Sequence, residues 1–524
     1  MTATLCGIML VVFFAVMVGV GIYSRKHATD VNGFVLGGRQ VGPWLTAFAF
    51  GTSYFSAVIF VGYAGQFGWN FGMASTWIGL GNAFIGSLLA WNVLGRRTRI
   101  MSQALDSKTM PDFFGSRFES KKLKIAASII VFVFLIPYTA SLYNGLSSLF
   151  NMAFGLPYWT IIVVMAVLTG IYVIVGGYMA TAINDFIQGI IMLFGIIAVV
   201  AAVVMNNGGL NAATAKLATV KVPDYFDGAL SSFIGPDPLA LLFVVILTSL
   251  GTWGLPQMVN KFYAIKSEKD IHKGTVISTI FAVIVAGGCY FLGGFGRLYD
   301  IAINPVTKQP LFDTIIPNML KTLSPVLIAV VIVLVLSASM STLSSLVLTS
   351  SSTFTLDLIQ PTMKRKMSES RKVLIMRIFI VFFILVSAMI AIVKDANPTV
   401  TFIAQMMGVS WGALAGAFLA PFLYGLYWKK TTKIASIVCF FWGCGIAVLQ
   451  MVVSLAKIDV TAWGPVLGYI FKSSINSGVV AMVGGLIIVP IVSAFTKAPS
   501  QKQTDKLFEA YEEKREVPAK EALD

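Results

Sequence analysis

Apolar runs recur along this chain, each long enough to cross the roughly 30 Å hydrocarbon core of a bilayer, which takes about 20 residues as a helix. They lie near 5–23, 43–67, 74–95, 123–152, 158–178, 182–205, 237–258, 273–297, 323–357, 373–394, 398–427, 432–456 and 475–496. In lipid only helices and closed barrels satisfy every backbone polar group. The alternating segments of barrel strands are missing, so the sequence predicts an all-α integral membrane protein of about 13 transmembrane helices. A composition of 57% apolar and 12% charged residues places the chain in the same class.

The net charge of +15 would point to nucleic acid on a soluble domain, but here it follows the spans. Arg25, Lys26, Arg96, Arg97, Arg99, Lys121, Lys122, Lys124, Lys364, Arg365 and Lys366 all fall in loops on one side. That is the positive-inside bias, and it sets the N-terminus outside and the C-terminus in the cytoplasm. Nucleic acid is not an expected partner; membrane lipid is. The first span lacks a basic leader and is followed by Arg25-Lys26, so it reads as a retained helix rather than a signal peptide. Cys6, Cys289, Cys439 and Cys444 sit within spans without metal-ligand spacing, and His27 and His272 sit in loops. With no nucleotide-binding loop and no nucleophile–base pair, an enzyme is not expected.

Two spans are interrupted by polar and helix-breaking residues. The second contains Gly51-Thr52-Ser53-Tyr54-Phe55-Ser56 and the seventh Gly251-Thr252-Trp253-Gly254-Leu255-Pro256. Such residues often only kink or pack membrane helices. Their placement five spans apart, however, makes the two helices antiparallel, as inverted repeats with a binding site at mid-membrane require. The repeats would cover 43–205 and 237–427. Around them lie 1–42, a first helix and cytoplasmic loop; 206–236, an extracellular loop; 428–496, two peripheral helices; and 497–524, a charged tail whose Glu509, Glu512, Glu513, Lys514, Arg515 and Glu516 suit a short helix.

Asp185 is the one carboxylate inside an apolar span; the other acidic residues fall in loops, at span ends or in the tail. A carboxylate in hydrocarbon must be paired, protonated or bound to a cation. Ser341, Ser344 and Ser345 follow at i, i+3 and i+4, sharing one helical face, with Thr342 on its edge. Hydroxyls and freed carbonyls, including that of Ala338 one turn earlier, can replace the water shell of a hard cation. Serines also pack helices and bond back to their own backbone. Four hydroxyls with one carboxylate favour an ion site, and sodium is the ion expected.

Leu36-Gly37-Gly38-Arg39, Gly42-Pro43, Thr46-Ala47, Ser53 with Ser56, Met110-Pro111-Asp112-Phe113-Phe114, Arg117-Phe118, Gly176-Gly177-Tyr178, Asn184-Asp185 and Ser341-Thr342-Leu343-Ser344 occur in this order. Together they resemble the sodium:solute symporter family, most closely its sodium/proline branch. The resemblance implies thirteen helices with a five-plus-five inverted-repeat, leucine-transporter-like core, and a bacterial inner membrane. It implies a sodium site of the carbonyls of Thr52, Phe55 and Ala338 with the hydroxyls of Ser341 and Thr342. A second sodium site, known in some members, would use Asp185, Ser341, Ser344 and Ser345. Two departures stand out: Tyr54 replaces an aspartate usual in the proline branch, and Thr248 and Thr252 replace aromatics.

The expected function is sodium-coupled import of a small organic solute, an amino acid or related carboxylate, by alternating access. The solute pocket would comprise Tyr54, Ser56, Ala57, Tyr138, Thr252, Trp253 and Gln257. A half-helix N-terminus would hold a carboxylate. Sugar or polyol symport, proton coupling through Asp185, and a transporter-like sensor or channel stay open as alternatives. A monomer is expected to suffice. Arg39, at a helix entrance, reads equally as a cap contact or a gate.

Overall fold

The structure, a computed structural model, describes residues 2–155, 157–223, 225–301, 303, 310–363, 367–395 and 403–512. Lys364, Arg365, Lys366, the start of the eleventh span and the tail from Glu513 onward therefore lie outside the described residues. Among those described, helix is nearly the only regular structure, with two isolated bridges, Val41 to Ile265 and Ile303 to Pro310.

Among the described residues ten helices are long and apolar enough to cross a membrane, and a pair bent by 48°, Pro238–Gly254 and Pro256–Ala264, makes an eleventh crossing. Two of the ten are too long for one passage: Val58–Ala104 has 47 residues and Tyr158–Asn206 has 49, about 70 Å each at 1.5 Å per residue. Each turns back at a glycine in a conformation that only glycine adopts freely, Gly72 at φ 58°, ψ −136° and Gly177 at φ 55°, ψ −143°.

Packing shows the reversals. Glu268–Ala282 lies against both Pro43–Tyr54 and Asn82–Leu89, while Gly288–Gly293 lies against both Ala64–Phe71 and Thr76–Gly81. The chain therefore runs along one helix and returns along it. Around Gly177, Gly176 touches Gly21 and Ser24, and Asn184 donates back to the Met17 carbonyl at 3.2 Å. Dividing both long runs at these glycines, and joining Pro43–Tyr54 to the helix after it, gives the thirteen crossings read from the sequence.

Sequence signals set the helix starts. Asp237 and Ser324 accept hydrogen bonds from Ala240 and Leu327, with Pro238 and Pro325 as first helical residues. Pro325–Thr353 and Ile403–Tyr427 occupy the middle of the bundle, whereas Thr2–Ser24, Lys433–Leu455 and Ser474–Phe495 lie outside and expose Val11, Phe441 and Phe495. Lipid tails are as apolar as leucine, so contact between helices depends on close fit. A Cβ on Gly68 would stand 1.9 Å from the Gly293 carbonyl oxygen.

The two interrupted spans break alike. Phe55 has φ −85°, ψ 115° and Leu255 has φ −87°, ψ 120°. Each is a single extended residue between helical segments. At the basic end of the bundle, buried arginines take up carbonyls that helix ends leave free. Arg39 donates to the Ser107 carbonyl at 2.7 Å and to that of Tyr263 at 3.4 Å, Arg99 to Lys266 at 2.7 Å and Arg117 to Gly425 at 3.0 Å. Arg39 is thus a cap contact that ties a loop to the end of the second broken span. The tail helix Gln501–Glu509 docks on the same end through Lys429–Asp505 at 2.7 Å, and just beyond it the Tyr511 hydroxyl donates to Leu426.

Candidate functional site: the first break and the central helix

Phe55 leaves the helical conformation, so the carbonyls of Thr52 and Phe55 are released from the usual ladder and turn toward helix Pro325–Thr353. Thr342 Oγ1 lies 3.2 Å from the Thr52 oxygen, 3.2 Å from that of Phe55 and 3.0 Å from that of Ala338. Ser341 Oγ lies 3.2 Å from the Thr52 oxygen and 3.0 Å from that of Ala338. The five oxygens expected from the sequence are therefore together. Each hydroxyl carries one proton, so two protons serve all these approaches and the rest are oxygen facing oxygen. Such a cluster is rich in lone pairs and poor in donors, which suits a hard cation.

The second group differs. Asp185 is fully buried, and neither of its oxygens has a hydrogen-bond donor among the described residues. Its neighbour is a charge that the sequence reading counted with the loops: Lys261 Nζ stands 3.6 Å from Asp185 Oδ2. Helix Pro256–Ala264 continues past the expected span end and leaves this lysine 2% exposed. Lys261 also donates to Ser345 Oγ at 3.1 Å and faces the Tyr178 ring at 5.1 Å. Ser345 in turn shares a 2.9 Å hydrogen bond with Ser53, beside Thr52. Ser344 bonds back to the Ser341 carbonyl at 2.9 Å. A signal was present in the sequence: Met258, Val259, Phe262 and Tyr263 surround Lys261 with apolar positions after a proline helix start.

Around the breaks several polar side chains are buried without partners among the described residues: Ser56 Oγ, the Tyr138 hydroxyl, and both Oε1 and Nε2 of Gln257. Buried polar atoms are almost always satisfied, so a ligand or water is expected there. Tyr54 is buried in the same break. The Ala57 N–H donates to Ser339 Oγ at 3.2 Å, and Gly145 brings helix Lys121–Phe154 so close that a Cβ would reach 2.7 Å from the Ala57 carbonyl carbon. Tyr138 meets Trp411 edge to face at 6.0 Å, and Gly251 abuts the same indole. Trp411, which the sequence did not single out, is thus the aromatic neighbour of Tyr138. Thr252 and Trp253 are engaged elsewhere: Thr252 donates to Ser249 at 2.8 Å and the Trp253 indole to Ile85 at 3.0 Å. A narrow crevice, with room for little more than a water molecule, is lined by Gln257, Asn260, Lys261, Ser345 and Ser352.

A membrane bundle with two like-broken, opposed helices and an oxygen cage at one break has the build of an ion-coupled secondary transporter. The profile of the Sodium:solute symporter family matches residues 34–443, and the chain belongs to that family. Its members are transporters, and sodium is the coupling ion for solute symport. The chain is 29% identical to the osmoregulated proline transporter OpuE of Bacillus subtilis (strain 168) over 506 residues, covering 96% of each. It is 29% identical over 505 residues to the sodium/proline symporter of Staphylococcus aureus (strain JH9), covering 94% of this chain and 93% of that one. A Na+-coupled sialic acid symporter, solved substrate-bound and outward-open, superposes with a TM-score of 0.72 at 17% identity, over 95% of this chain and 99% of that one. The fold is accordingly the five-plus-five inverted-repeat, leucine-transporter-like one.

Proposed function

We propose that the chain imports a small amino acid or related carboxylate, with sodium held by the carbonyls of Thr52, Phe55 and Ala338 and the hydroxyls of Ser341 and Thr342. The observation carrying the ion assignment is the proton-poor oxygen cluster between Thr52, Phe55, Ala338, Ser341 and Thr342. For the solute, the support is the pair of near-full-length relatives named as proline transporters, together with the orphaned hydroxyls and amide of Ser56, Tyr138 and Gln257. Tyr54, Ala57 and Trp411 complete the pocket; Thr252 and Trp253 act behind it, holding the second break to Asn82–Leu89.

Sodium at this position joins Pro325–Thr353 to the first break, and thereby fixes Ser56 and Ala57, which belong to the solute pocket. Ion and solute thus favour the same arrangement of the two helices, which is what coupling requires. The basic end faces the cytoplasm by the positive-inside rule, with the N-terminus outside. One chain contains the whole site, so a monomer suffices, and the work done is transport rather than catalysis.

The test is uptake by proteoliposomes of a labelled panel, L-proline, other small amino acids, short carboxylates and sugars, under an inward sodium gradient. Each is repeated with potassium at matched voltage and pH. Accumulation of an amino acid or carboxylate only with sodium is expected. Sodium-independent uptake that follows pH would move the coupling to protons, and uptake of sugars alone would overturn the solute class.

A further inference from the structure

Asp185, Ser341, Ser344 and Ser345 have the residue types of a second sodium site, yet the structure places an ammonium beside two of them, Asp185 and Ser345. Lys261 Nζ is 3.6 Å from Asp185 Oδ2, 3.1 Å from Ser345 Oγ and 5.1 Å from the Tyr178 ring centre. An ammonium has three donors and no acceptor, and these three neighbours present a carboxylate, a lone pair and a negative π face. The residue is 2% exposed and the carboxylate fully buried, so neither charge has bulk water as an alternative partner. A sodium ion ligated by both Asp185 and Ser345 would stand in contact with the ammonium, one positive charge against another in a medium that screens poorly.

We propose that Lys261 is a built-in cation that holds the place of the second sodium, so that this transporter binds a single sodium ion with each solute. The ammonium does structurally what that ion would do. It links the second broken span, through Lys261, to the helix carrying Asp185 and to Ser345 on the central helix, and through Ser345 to Ser53 in the first break. Unlike an ion it cannot leave, so it contributes no gradient energy. The inference rests on the sodium reading above, and places Lys261 as a positioning residue that fixes stoichiometry.

The experiment counts sodium without needing the solute. Purified full-length protein is titrated with radioactive sodium at equilibrium, and its melting temperature is followed against sodium concentration. Each bound ion adds its own logarithmic term to stability. The wild type should saturate at a single ion. Lys261→Gln, which frees Asp185 and Ser345, should saturate at twice that count, with the slope of melting temperature against log sodium rising roughly two-fold. A wild-type count of two ions, or an unchanged count in Lys261→Gln, overturns the proposal. If Lys261→Gln cannot be purified, the wild-type count decides alone. A wild type that binds no sodium would instead overturn the sodium site at Ser341 and Thr342, a separate failure.

Discussion

Two polar centres lie one helical turn apart on Pro325–Thr353, and they are built from different material. At Ser341 and Thr342 the surroundings are five neutral oxygens, three of them backbone carbonyls, of which those of Thr52 and Phe55 are set free because Phe55 is extended. At Ser345 the surroundings contain a full carboxylate and a full ammonium, both supplied by the chain. On the proposed reading, the first centre takes an external cation and the second has its cation supplied by the chain. Neutral oxygens let an ion come and go, because nothing charged is stranded when it leaves. A carboxylate without its partner would be stranded, at a cost of several kcal/mol in a buried site.

The sharpest way to break this contrast is Asp185→Asn, which strands the ammonium of Lys261. It should destabilise the protein by roughly 3–5 kcal/mol, read by thermal melting, and sodium should not repair the loss. Combining it with Lys261→Gln should recover most of that stability. A melting point unmoved by the single change would remove the ion pair from the account. Next in size, Thr342→Ala should raise the sodium concentration for half-maximal activation roughly 10- to 150-fold, the weight of about 1.5–3 kcal/mol for a ligand to a charged group. Its folding should move by less than about 1 kcal/mol, since only neutral contacts are lost. Equal losses of stability in Asp185→Asn and Thr342→Ala would erase the distinction between the centres.

A smaller effect separates solute from ion. Gln257→Ala should raise the KM for the solute by about 5- to 10-fold, the loss of one or two neutral hydrogen bonds, while sodium activation stays within about two-fold. Kinetics under saturating sodium would check it, and a shift confined to sodium would place Gln257 with the ion instead. Smallest of all, Lys429→Ala removes a half-exposed pair with Asp505 and should change stability by under about 1 kcal/mol. A large loss would make the docked tail part of the working core.

Much of this was legible in the sequence because lipid restricts what a chain can do. Apolar length gave the crossings, and the interrupted runs 51–56 and 251–256 contain both breaks, at Phe55 and Leu255. Ser341 and Thr342 stood out because four hydroxyls fall within five positions, although such hydroxyls also bond back to their own helix. Lys261 was signalled only by its apolar neighbours, because a lysine near the end of an apolar run usually reaches water, and the packing of Pro256–Ala264 beside Tyr178 shows that it does not. That the Trp253 indole donates to Ile85 and that Trp411 meets the Tyr138 ring was not legible for a related reason: both depend on how distant helices pack, which local sequence does not encode.

The 2.9 Å bond between Ser53 and Ser345 has a mechanical consequence. Thr52 and Ser53 are adjacent, and so face the cage and the charge pair from one short piece of chain, while Ser341, Thr342 and Ser345 face them from one rigid helix. Any displacement that parts these two elements loosens both sets of contacts in the same stroke. The junction thus couples the two centres mechanically: neither set of contacts can be parted without straining the other.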